Sequence, residues 1–226
     1  MPKTFIISLG GSLIVPDQVN VQFLKKFRQF IVTRIASGNK FIIVCGGGKQ
    51  ARWYQQELEK VTRPSKDELD WIGIYATRFN AQLVRLMFGK LAHSIVVEDP
   101  NKKTNFKKKI LIAGGWMPGR STDDDAVRLA KQYGARAIIN LSNIDRVYTK
   151  DPRKFTDATP IDSISWEKFK KIVGTTWNPG ANVPFDPTAA KFAEKNKLRV
   201  IIANGKNLKN LGNILEEKKF IGTIIG

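Results

Sequence analysis

The chain is poor in cysteine, histidine and acidic residues, and it has no long hydrophobic run. Its 226 residues include a single cysteine, Cys45, and a single histidine, His93. One cysteine excludes an internal disulfide framework and a cysteine-based metal cluster. A histidine-dependent triad or zinc site would have to depend on His93 alone. No segment approaches the roughly 18 apolar residues that a membrane span needs. Cys45 ends the apolar run 41–44, which predicts a buried structural thiol rather than a nucleophile.

Acidic residues are outnumbered by basic ones, 20 to 38, which gives a formal charge of +18. This excess favours anionic partners, either nucleic acid or phosphorylated small molecules, although it does not require a specific partner. The lysine-rich stretch 101–109 is interpreted as an exposed loop that enters a strand. The other basic residues are scattered and no platform of aromatic and basic residues is visible, so nucleic-acid binding is expected only as a nonspecific property. The N-terminal apolar run ends in Gly10-Gly11, without the cleavage site of a signal peptide, and predicts a cytoplasmic protein.

Short, nearly continuous apolar runs alternate with longer amphipathic stretches, the pattern of strands covered on both faces and of the helices that cover them. The strand candidates are Thr4–Leu9, Lys40–Cys45, His93–Glu98, Lys109–Ala113, Ala137–Leu141, Arg199–Ala203 and Ile221–Ile225. Helices are predicted around Phe23–Ile35 and over Lys49–Lys60, Asp67–Phe88, Asp123–Tyr133, Trp166–Ile172, Pro187–Asn196 and Leu208–Glu217. This order predicts an α/β fold, a three-layer sandwich whose mostly parallel central sheet has helices on both faces. No linker divides the chain, and one domain over residues 1–226 is expected.

Glycines and small polar residues follow several of these strands directly. Gly10-Gly11-Ser12 follows the first strand, Gly46-Gly47-Gly48 the second, Gly114-Gly115 the fourth and Ser142-Asn143 the fifth. Open α/β sheets bind ligands beyond the carboxyl ends of their strands, so all four clusters are expected on one edge. Glycine lets main-chain N–H groups converge on an anion, and a helix that starts there adds its positive end. The pattern favours binding of more than one phosphate group and hence phosphoryl transfer.

Two familiar nucleotide motifs fit less well. A P-loop would need glycine at Ile43 and a hydroxyl residue at Gln50, so that motif fails. The segment from Gly46 to Ala51 matches the looser dinucleotide fingerprint. That motif also requires an acidic residue at the end of the next strand, whereas Asp70 lies in a predicted helix.

Six segments, taken together, resemble the amino acid kinase superfamily in order and spacing, and within it the uridylate (UMP) kinases of the archaeal type. They are Gly10–Ser12, Gly46–Arg52, Asp70–Thr77, Pro118–Asp123, Asn143–Pro152 and Phe185–Lys191. The resemblance covers nearly the whole chain and implies the amino acid kinase fold. It also implies that about residues 1–135 hold the phosphoryl acceptor, the phosphate of UMP, and about residues 136–226 hold ATP with Mg²⁺. The implied partners are UMP, ATP and further copies of the chain in a homohexamer.

The resemblance also assigns roles residue by residue. Gly10, Gly11 and Ser12 would lie along the transferred phosphoryl group, and Lys191 would reach it. Arg52 supplies a bidentate fork suited to phosphate, and Asp70 would accept hydrogen bonds from the ribose. The implied UMP-binding residues are Gly47, Gly48, Arg52, Asp70, Pro118, Ser121 and Thr122. The implied ATP-binding residues are Ser142, Asn143, Asp145, Tyr148 and Asp151, and no protein ligand to a metal is assigned.

Ordinary structural roles compete with several of these assignments. Asp70 and Asp123 lie at or near helix starts, where a carboxylate is stabilised by the helix dipole or caps the helix. Tyr148 could be a packed aromatic residue and Lys191 a surface lysine. Two positions also depart from the pattern of the superfamily. Ser8 stands where many members carry a lysine, and Arg146 replaces the glycine usual before Val147-Tyr148. The backbone at Arg146 must therefore be one that a non-glycine residue tolerates.

The resemblance implies the function of a UMP kinase, a nucleoside monophosphate kinase that makes UDP and ADP from UMP and Mg·ATP. Phosphoryl transfer requires two anionic groups held in line and neutralisation of the moving charge, which glycine amides, cations and a metal supply without histidine. Two alternatives remain open at this point. One keeps the fold with a different acceptor, a carboxylate or an isoprenoid phosphate, and the other is a non-catalytic nucleotide-binding protein.

Overall fold

A computed structural model describes residues 3–174 and 183–226. The strands are β1 (Thr4–Leu9), β2 (Lys40–Cys45), β3 (Ile110–Ala113), β4 (Ala137–Ser142), β5 (Val147–Tyr148), β6 (Pro160–Ile161), β7 (Ser163–Ile164), β8 (Arg199–Asn204) and β9 (Thr223–Ile225). The helices are α1 (Gly11–Ile14), α2 (Val21–Ala36), α3 (Gly48–Val61), α4 (Lys66–Phe88), α5 (Thr122–Gln132), α6 (Trp166–Val173), α7 (Pro187–Lys195) and α8 (Leu208–Leu215), with a short 3-10 turn at Gly89–Leu91. Among the described helices, none combines the length and apolar character of a membrane span.

Seven strands form one sheet in the order β3-β2-β1-β4-β8-β9-β7, and β5 pairs with β6 in a small separate ribbon. The first five strands of that order run parallel, and β9 is antiparallel to β8. The predicted mostly parallel sheet is therefore confirmed. The predicted helices and all but one of the predicted strands agree with the structure to within two residues at either end.

The strand predicted over His93–Glu98 is wrong. The structure has only two isolated bridges there, Ala92 to Ile110 and Val97 to Ala113. From Ala92 to Val97 the chain advances by five residues, whereas from Ile110 to Ala113 it advances by three. Two residues of the first segment therefore cannot pair with β3. Ser94 and Ile95 form the bend and are exposed.

Each face of the sheet has its own core, because successive strand side chains point to opposite faces. Ile7, Phe41 and Ile43 pack under α1, α2, α4 and α8. On the opposite face, Ile6 and Ile42 pack under α5, α6 and α7. These two cores confirm the three-layer sandwich. The helices cover the two faces of the sheet and not the carboxyl and amino edges of its parallel strands.

Candidate active site

The glycine loops meet at the carboxyl edge of the sheet. The Gly10 N–H donates to the Leu141 carbonyl at 2.8 Å and the Gly46 N–H donates to the Leu9 carbonyl at 3.0 Å. These bonds join the ends of β4, β1 and β2. The Gly114 N–H bonds the Val97 carbonyl at 3.0 Å beyond β3. The structure thus brings together the four clusters that the sequence places after strands.

Gly11 and Gly48 lie main chain against main chain. A Cβ on Gly11 would be 2.0 Å from the Gly48 nitrogen, and a Cβ on Gly48 would be 2.6 Å from the Gly11 oxygen. Gly48 also has φ +73°, a conformation that favours glycine. Side chains are thus excluded where the two loops touch, and Ser12 lies half-buried on α1 beside them.

Helix α3 begins inside this glycine cluster. Its N-cap is Gly47, so no side chain caps its first turn. The Lys49 N–H of this turn donates to the Val15 carbonyl at 3.1 Å. N–H groups at a helix start that lack such a partner form a site for an anion. Arg52 is exposed one turn along the same helix, at a position where a guanidinium can add a cation to that site.

Asp70 and the loop before α5 are in direct contact. The Gly119 N–H donates to Asp70 Oδ2 at 2.8 Å. Burial raises the pKa of Asp70, and this hydrogen bond partly offsets the rise. Pro118 is the half-buried neighbour of Gly119. Asp70 therefore lies at the same edge as the loop that carries the predicted acceptor residues, rather than acting as a cap of α4, whose capping residue is Ser65.

Ser121 and Thr122 occupy the start of α5. Ser121 is the N-cap, and its Oγ accepts from the Asp124 N–H at 3.3 Å. Thr122 is the first helical residue. The Ser121 hydroxyl thus has a structural partner already, and a second contact to a phosphate would use its remaining capacity.

Three side chains of α4 hold the glycine loops in place, and sequence reasoning gave them no role. The Asn80 amide donates to the Gly46 and Gly47 carbonyls at 2.9 and 3.1 Å. Thr77 Oγ1 accepts from the Gly115 N–H at 2.6 Å, and Arg78 donates to the carbonyls of Gly115 and Trp116 at 3.0 and 2.9 Å.

A signal for two of these residues was present in the sequence. Thr77 and Asn80 are polar residues three apart, on the face of α4 that otherwise buries Ile74, Ala81 and Val84. A buried polar side chain needs a hydrogen-bond partner, and the loop carbonyls and amides supply it.

The Asp123 carboxylate accepts hydrogen bonds from three residues at the sheet edge. Ser8 Oγ and Asn140 Nδ2 donate to its Oδ1 at 3.1 and 2.8 Å. The Asp186 N–H donates to Oδ2 at 3.3 Å. Burial, followed by the charge of Asp186, raises the pKa of Asp123 to about 7. Ser8, the position that departs from the superfamily, is thus a hydrogen-bond donor to this carboxylate.

The predicted ATP residues follow β4 and continue into the β5–β6 ribbon. Ser142 Oγ accepts from the Ile144 N–H at 3.3 Å, and Asn143 is exposed beside it. Asp145 Oδ1 accepts from Asn204 Nδ2 at 3.0 Å, which links this loop to the end of β8. Tyr148 is half-buried in β5.

Asp151 and Arg146 each have a close partner. The Arg153 guanidinium donates to both carboxylate oxygens of Asp151 at 3.0 and 2.9 Å, and these bonds lower the pKa of Asp151 to about 2. Arg146 pairs with Asp162 at 3.2 Å. Among the described non-glycine residues only Lys197 and Glu217 have positive φ, so the backbone at Arg146 is one that any residue tolerates, as expected.

Lys191 lies on α7 with its side chain exposed. Asp186 is the N-cap of α7. Its Oδ1 accepts from the Ala189 N–H at 2.7 Å, and its own N–H donates to Asp123 Oδ2. The start of α7 is therefore anchored at the carboxyl edge.

Cys45 serves packing, and His93 lies apart from the carboxyl edge. Cys45 is completely buried, and burial raises the pKa of its thiol, so the structural interpretation is confirmed. His93 is half-buried near β3, where its main-chain N–H donates to the Ile110 carbonyl at 2.8 Å.

Comparison with known proteins gives the family. The model of the amino acid kinase family matches residues 3–204. The chain belongs to the amino acid kinase family. The uridylate kinase of Thermococcus onnurineus is 35% identical over 97% of this chain and 98% of its own length. That of Thermoplasma volcanium is also 35% identical, over 100% of this chain and 98% of its own length.

Solved structures agree on the amino acid kinase fold. The crystal structure of uridylate kinase from Archaeoglobus fulgidus superposes with a TM-score of 0.83 at 31% identity and covers 100% of both chains. UMP kinase from Bacillus anthracis superposes with a TM-score of 0.79 at 20% identity, over 100% of this chain and 97% of its own, a level of identity that bears on the fold alone.

Proposed function

We propose that the protein is a UMP kinase that transfers the γ-phosphoryl group of Mg·ATP to UMP and yields UDP and ADP. The observation that carries the proposal is the meeting of the glycine loops after β1 and β2 with the loops after β3 and β4 at one edge. The names of the archaeal relatives support UMP as the acceptor. The reaction would take place in the cytoplasm, where its nucleotide substrates occur.

The two halves of the chain would divide the substrates. UMP would lie over the loops after β2 and β3, with its phosphate at Gly47, Gly48 and Arg52 and its ribose at Asp70. ATP would lie over the loops after β4 and β8, near Ser142 and Tyr148. The transferred phosphoryl group would then pass over Gly10 and Gly11, which follow the strand between β2 and β4. Main-chain amides there would stabilise the charge that develops in the transition state.

Magnesium would arrive with ATP. Mg²⁺ in such sites often keeps several waters and binds substrate phosphates with few protein ligands. Among the described residues no group of three or more histidine, cysteine or acidic side chains could hold an ion, which is compatible with an ion held by phosphates and water. When bound, the ion would neutralise phosphate charge. The protein residues would orient the two nucleotides and exclude water.

We also propose that the protein is a homo-oligomer, with the hexamer of the family resemblance as the expected form. Helix α4 supports self-association, because Trp71, Tyr75, Phe79 and Leu86 are exposed along it at spacings of four, four and seven residues, which place them on one side of the helix. Tyr75 and Phe79 are 61% and 68% exposed. A second copy of the same helix would cover such a stripe.

A coupled phosphotransfer assay with Mg·ATP tests the function. The acceptors are UMP, CMP, N-acetylglutamate and isopentenyl phosphate, and the readout is ADP release. UMP should give the highest kcat/KM. A higher value with the carboxylate or the isoprenoid phosphate would replace the proposed acceptor, and no turnover with any of them would leave a nucleotide-binding protein.

A further inference from the structure

Each of the five parallel strands has a basic residue as its first residue or directly before it. Lys40 and Arg199 are the first residues of β2 and β8, and Lys3, Lys109 and Arg136 directly precede β1, β3 and β4. The strand order places them side by side as Lys109, Lys40, Lys3, Arg136 and Arg199, and we name this set the basic row. Neighbouring strands are about 4.8 Å apart, so the row extends over about 19 Å of the amino edge.

The main chain fixes the register of the basic row. The Lys40 N–H donates to the Lys3 carbonyl at 2.9 Å, and the Arg199 N–H donates to the Arg136 carbonyl at 3.1 Å. In the strand register Lys40 faces Thr4 and Arg199 faces Ala137. Because successive strand residues point to opposite faces, the side chains of Lys109, Lys40 and Arg136 lie on one face of the sheet and those of Lys3 and Arg199 on the other. The basic row therefore offers cations on both faces of the amino edge, and its position does not depend on the conformation of a long loop.

The surroundings of the row add positive charge and neutralise little of it. The loops that enter β2, β3, β4 and β8 (37–39, 105–108, 133–135 and 196–198) contain Lys107, Lys108 and Lys197 and no acidic residue. Of the ion pairs between described residues, one involves the row, Lys3 with Glu217 at 2.5 Å. The amino edge therefore presents a positive strip that covers both faces of the sheet, and Glu217, whose pKa is lowered by the hydrogen bond from Lys3 and by the charges of Lys3 and Arg199, offsets part of it beside those two residues.

This strip is separate from the candidate active site. A strand of six residues, the length of β2, spans about 20 Å, and the glycine loops lie at its other end. A ligand on the basic row would thus not occupy the sites assigned to UMP and ATP. Its binding does not depend on the proposed kinase function.

We infer that the basic row binds the phosphate backbone of a nucleic acid without sequence preference. A line of cations on neighbouring strands fits a ligand with repeated phosphates, and Lys and Arg neutralise phosphates in a salt-dependent way. None of the large exposed hydrophobic side chains lies in the loops that enter these strands, so nothing there would insert into a lipid surface, as membrane-binding elements do. The same scarcity leaves no stacking platform for bases. The expected contacts are with phosphates, which carry no sequence information, so no sequence preference is expected.

A structural role for the same cations makes a different prediction. Helices α2, α5 and α7 end just before β2, β4 and β8, and a cation near a helix C-terminus stabilises it by about 0.3 to 1 kcal/mol. Cations that serve only this purpose would affect thermal stability and leave nucleic-acid affinity tied to net charge alone.

The test compares two variants of the full chain with the same loss of charge. The first carries Lys109→Gln, Arg136→Gln and Arg199→Gln. The control carries Lys25→Gln, Lys60→Gln and Lys209→Gln on exposed helical positions. Fluorescence anisotropy measures binding to a labelled 30-nucleotide single-stranded RNA and to DNA of the same sequence, at salt concentrations from 50 to 200 mM.

The wild type and the control should bind alike, and the row variant should bind about tenfold or more weakly at low salt. Its slope of log K against log salt should fall by about 2, since each lost contact to a single strand removes about 0.7. RNA and DNA should give the same result. The UMP kinetics of the row variant should equal those of the wild type.

Equal losses in both triple variants would overturn the inference, because net charge alone would then explain binding. Binding of the wild type to phosphatidylserine vesicles but not to RNA or DNA would overturn it as well. If the triple variant does not fold by circular dichroism, Arg136→Gln alone repeats the test. Its side chain is exposed, and the expected fall in slope is about 0.7.

Discussion

Arg52 is the residue whose replacement separates the two proposed substrate sites most cleanly. Its side chain is exposed on the first turns of α3, so Arg52→Ala should cost little stability. We expect KM for UMP to rise by about tenfold or more, because a charge-assisted bond to phosphate is lost, while KM for ATP stays nearly constant. Steady-state kinetics with each substrate varied in turn measure both values.

The control for Arg52→Ala is Lys60→Ala, which removes an exposed cation near the other end of the same helix. It should leave both KM values unchanged. Equal rises of both KM values in the Arg52 variant would contradict the assignment of this residue to the acceptor side.

Lys191 tests the neutralisation of the transferred phosphoryl group. If its ammonium reaches the moving charge, Lys191→Ala lowers kcat more than it changes either KM, because the interaction is made in the transition state. The neighbouring exposed residue Lys195 offers the matched control, Lys195→Ala, with unchanged kinetics. An unchanged kcat in the Lys191 variant would make it a surface lysine.

At the scale of elements, α4 is the helix on which the acceptor loops depend. Asn80 is 1% exposed and donates to two glycine-loop carbonyls. Asn80→Ala should lower the free energy of unfolding by about 1 to 3 kcal/mol, since it leaves carbonyl groups without their donor. It should also raise KM for UMP more than KM for ATP, because the loop it holds belongs to the acceptor side.

Thermal denaturation and the two KM values check this expectation, with the exposed neighbour Gln82→Ala as control. A loss of stability with both KM values unchanged would mean that Asn80 serves packing alone. Arg78 makes a related connection, since its guanidinium lies 5.8 Å from the ring centres of both Trp71 and Tyr75 while it binds the loop after β3.

The outer face of α4 makes a separate prediction. If the stripe of Trp71, Tyr75, Phe79 and Leu86 is covered by another copy, the double variant Tyr75→Lys, Phe79→Lys should dissociate the assembly. Burying two ammonium groups opposes association. Size-exclusion chromatography with light scattering should show a smaller mass than the wild type. Phe155→Lys changes an exposed aromatic residue elsewhere and should keep the wild-type mass, whereas a monomeric wild type would refute the proposed oligomer.

Much of the element order could be predicted from the sequence, because apolar period and glycine placement are local signals. The helix of Val21–Ala36 follows from Phe23, Phe27, Ile31 and Ile35 on one face. The strand predicted over 93–98 was wrong because an apolar run does not show how many residues the neighbouring strand offers for pairing. The short α1 and the β5–β6 ribbon carry too few residues for a period to be recognised.

At the scale of the whole molecule, the Asp123 network joins β1, β4, α5 and the start of α7. The pKa of Asp123 is raised to about 7 in the folded state, above the roughly 3.9 of an unfolded chain. Between these values the folded state holds a proton that the unfolded state has released, so the stabilisation is greatest at low pH and is lost as pH rises toward 7.

Asp123→Asn should therefore reduce the fall in stability between about pH 4 and pH 7. Urea denaturation midpoints across that range measure the effect. Part of the fall should remain, because burial also raises the pKa of Asp125 and of Asp186. The control Glu59→Gln, on an exposed residue of α3, should keep the wild-type profile, and an identical profile in the Asp123 variant would contradict the prediction.

The sequence by itself determined most of the strands and helices and the edge at which the glycine loops meet, because the carboxyl ends of parallel strands share one edge whatever their order. Tertiary structure decided which side chains meet there. Ser8 and Asp123 are 115 residues apart, and Asn80 and Gly46 are 34 apart. It also arranged cations that look scattered along the chain into the basic row. Such contacts depend on strand order and helix packing, which no local pattern encodes.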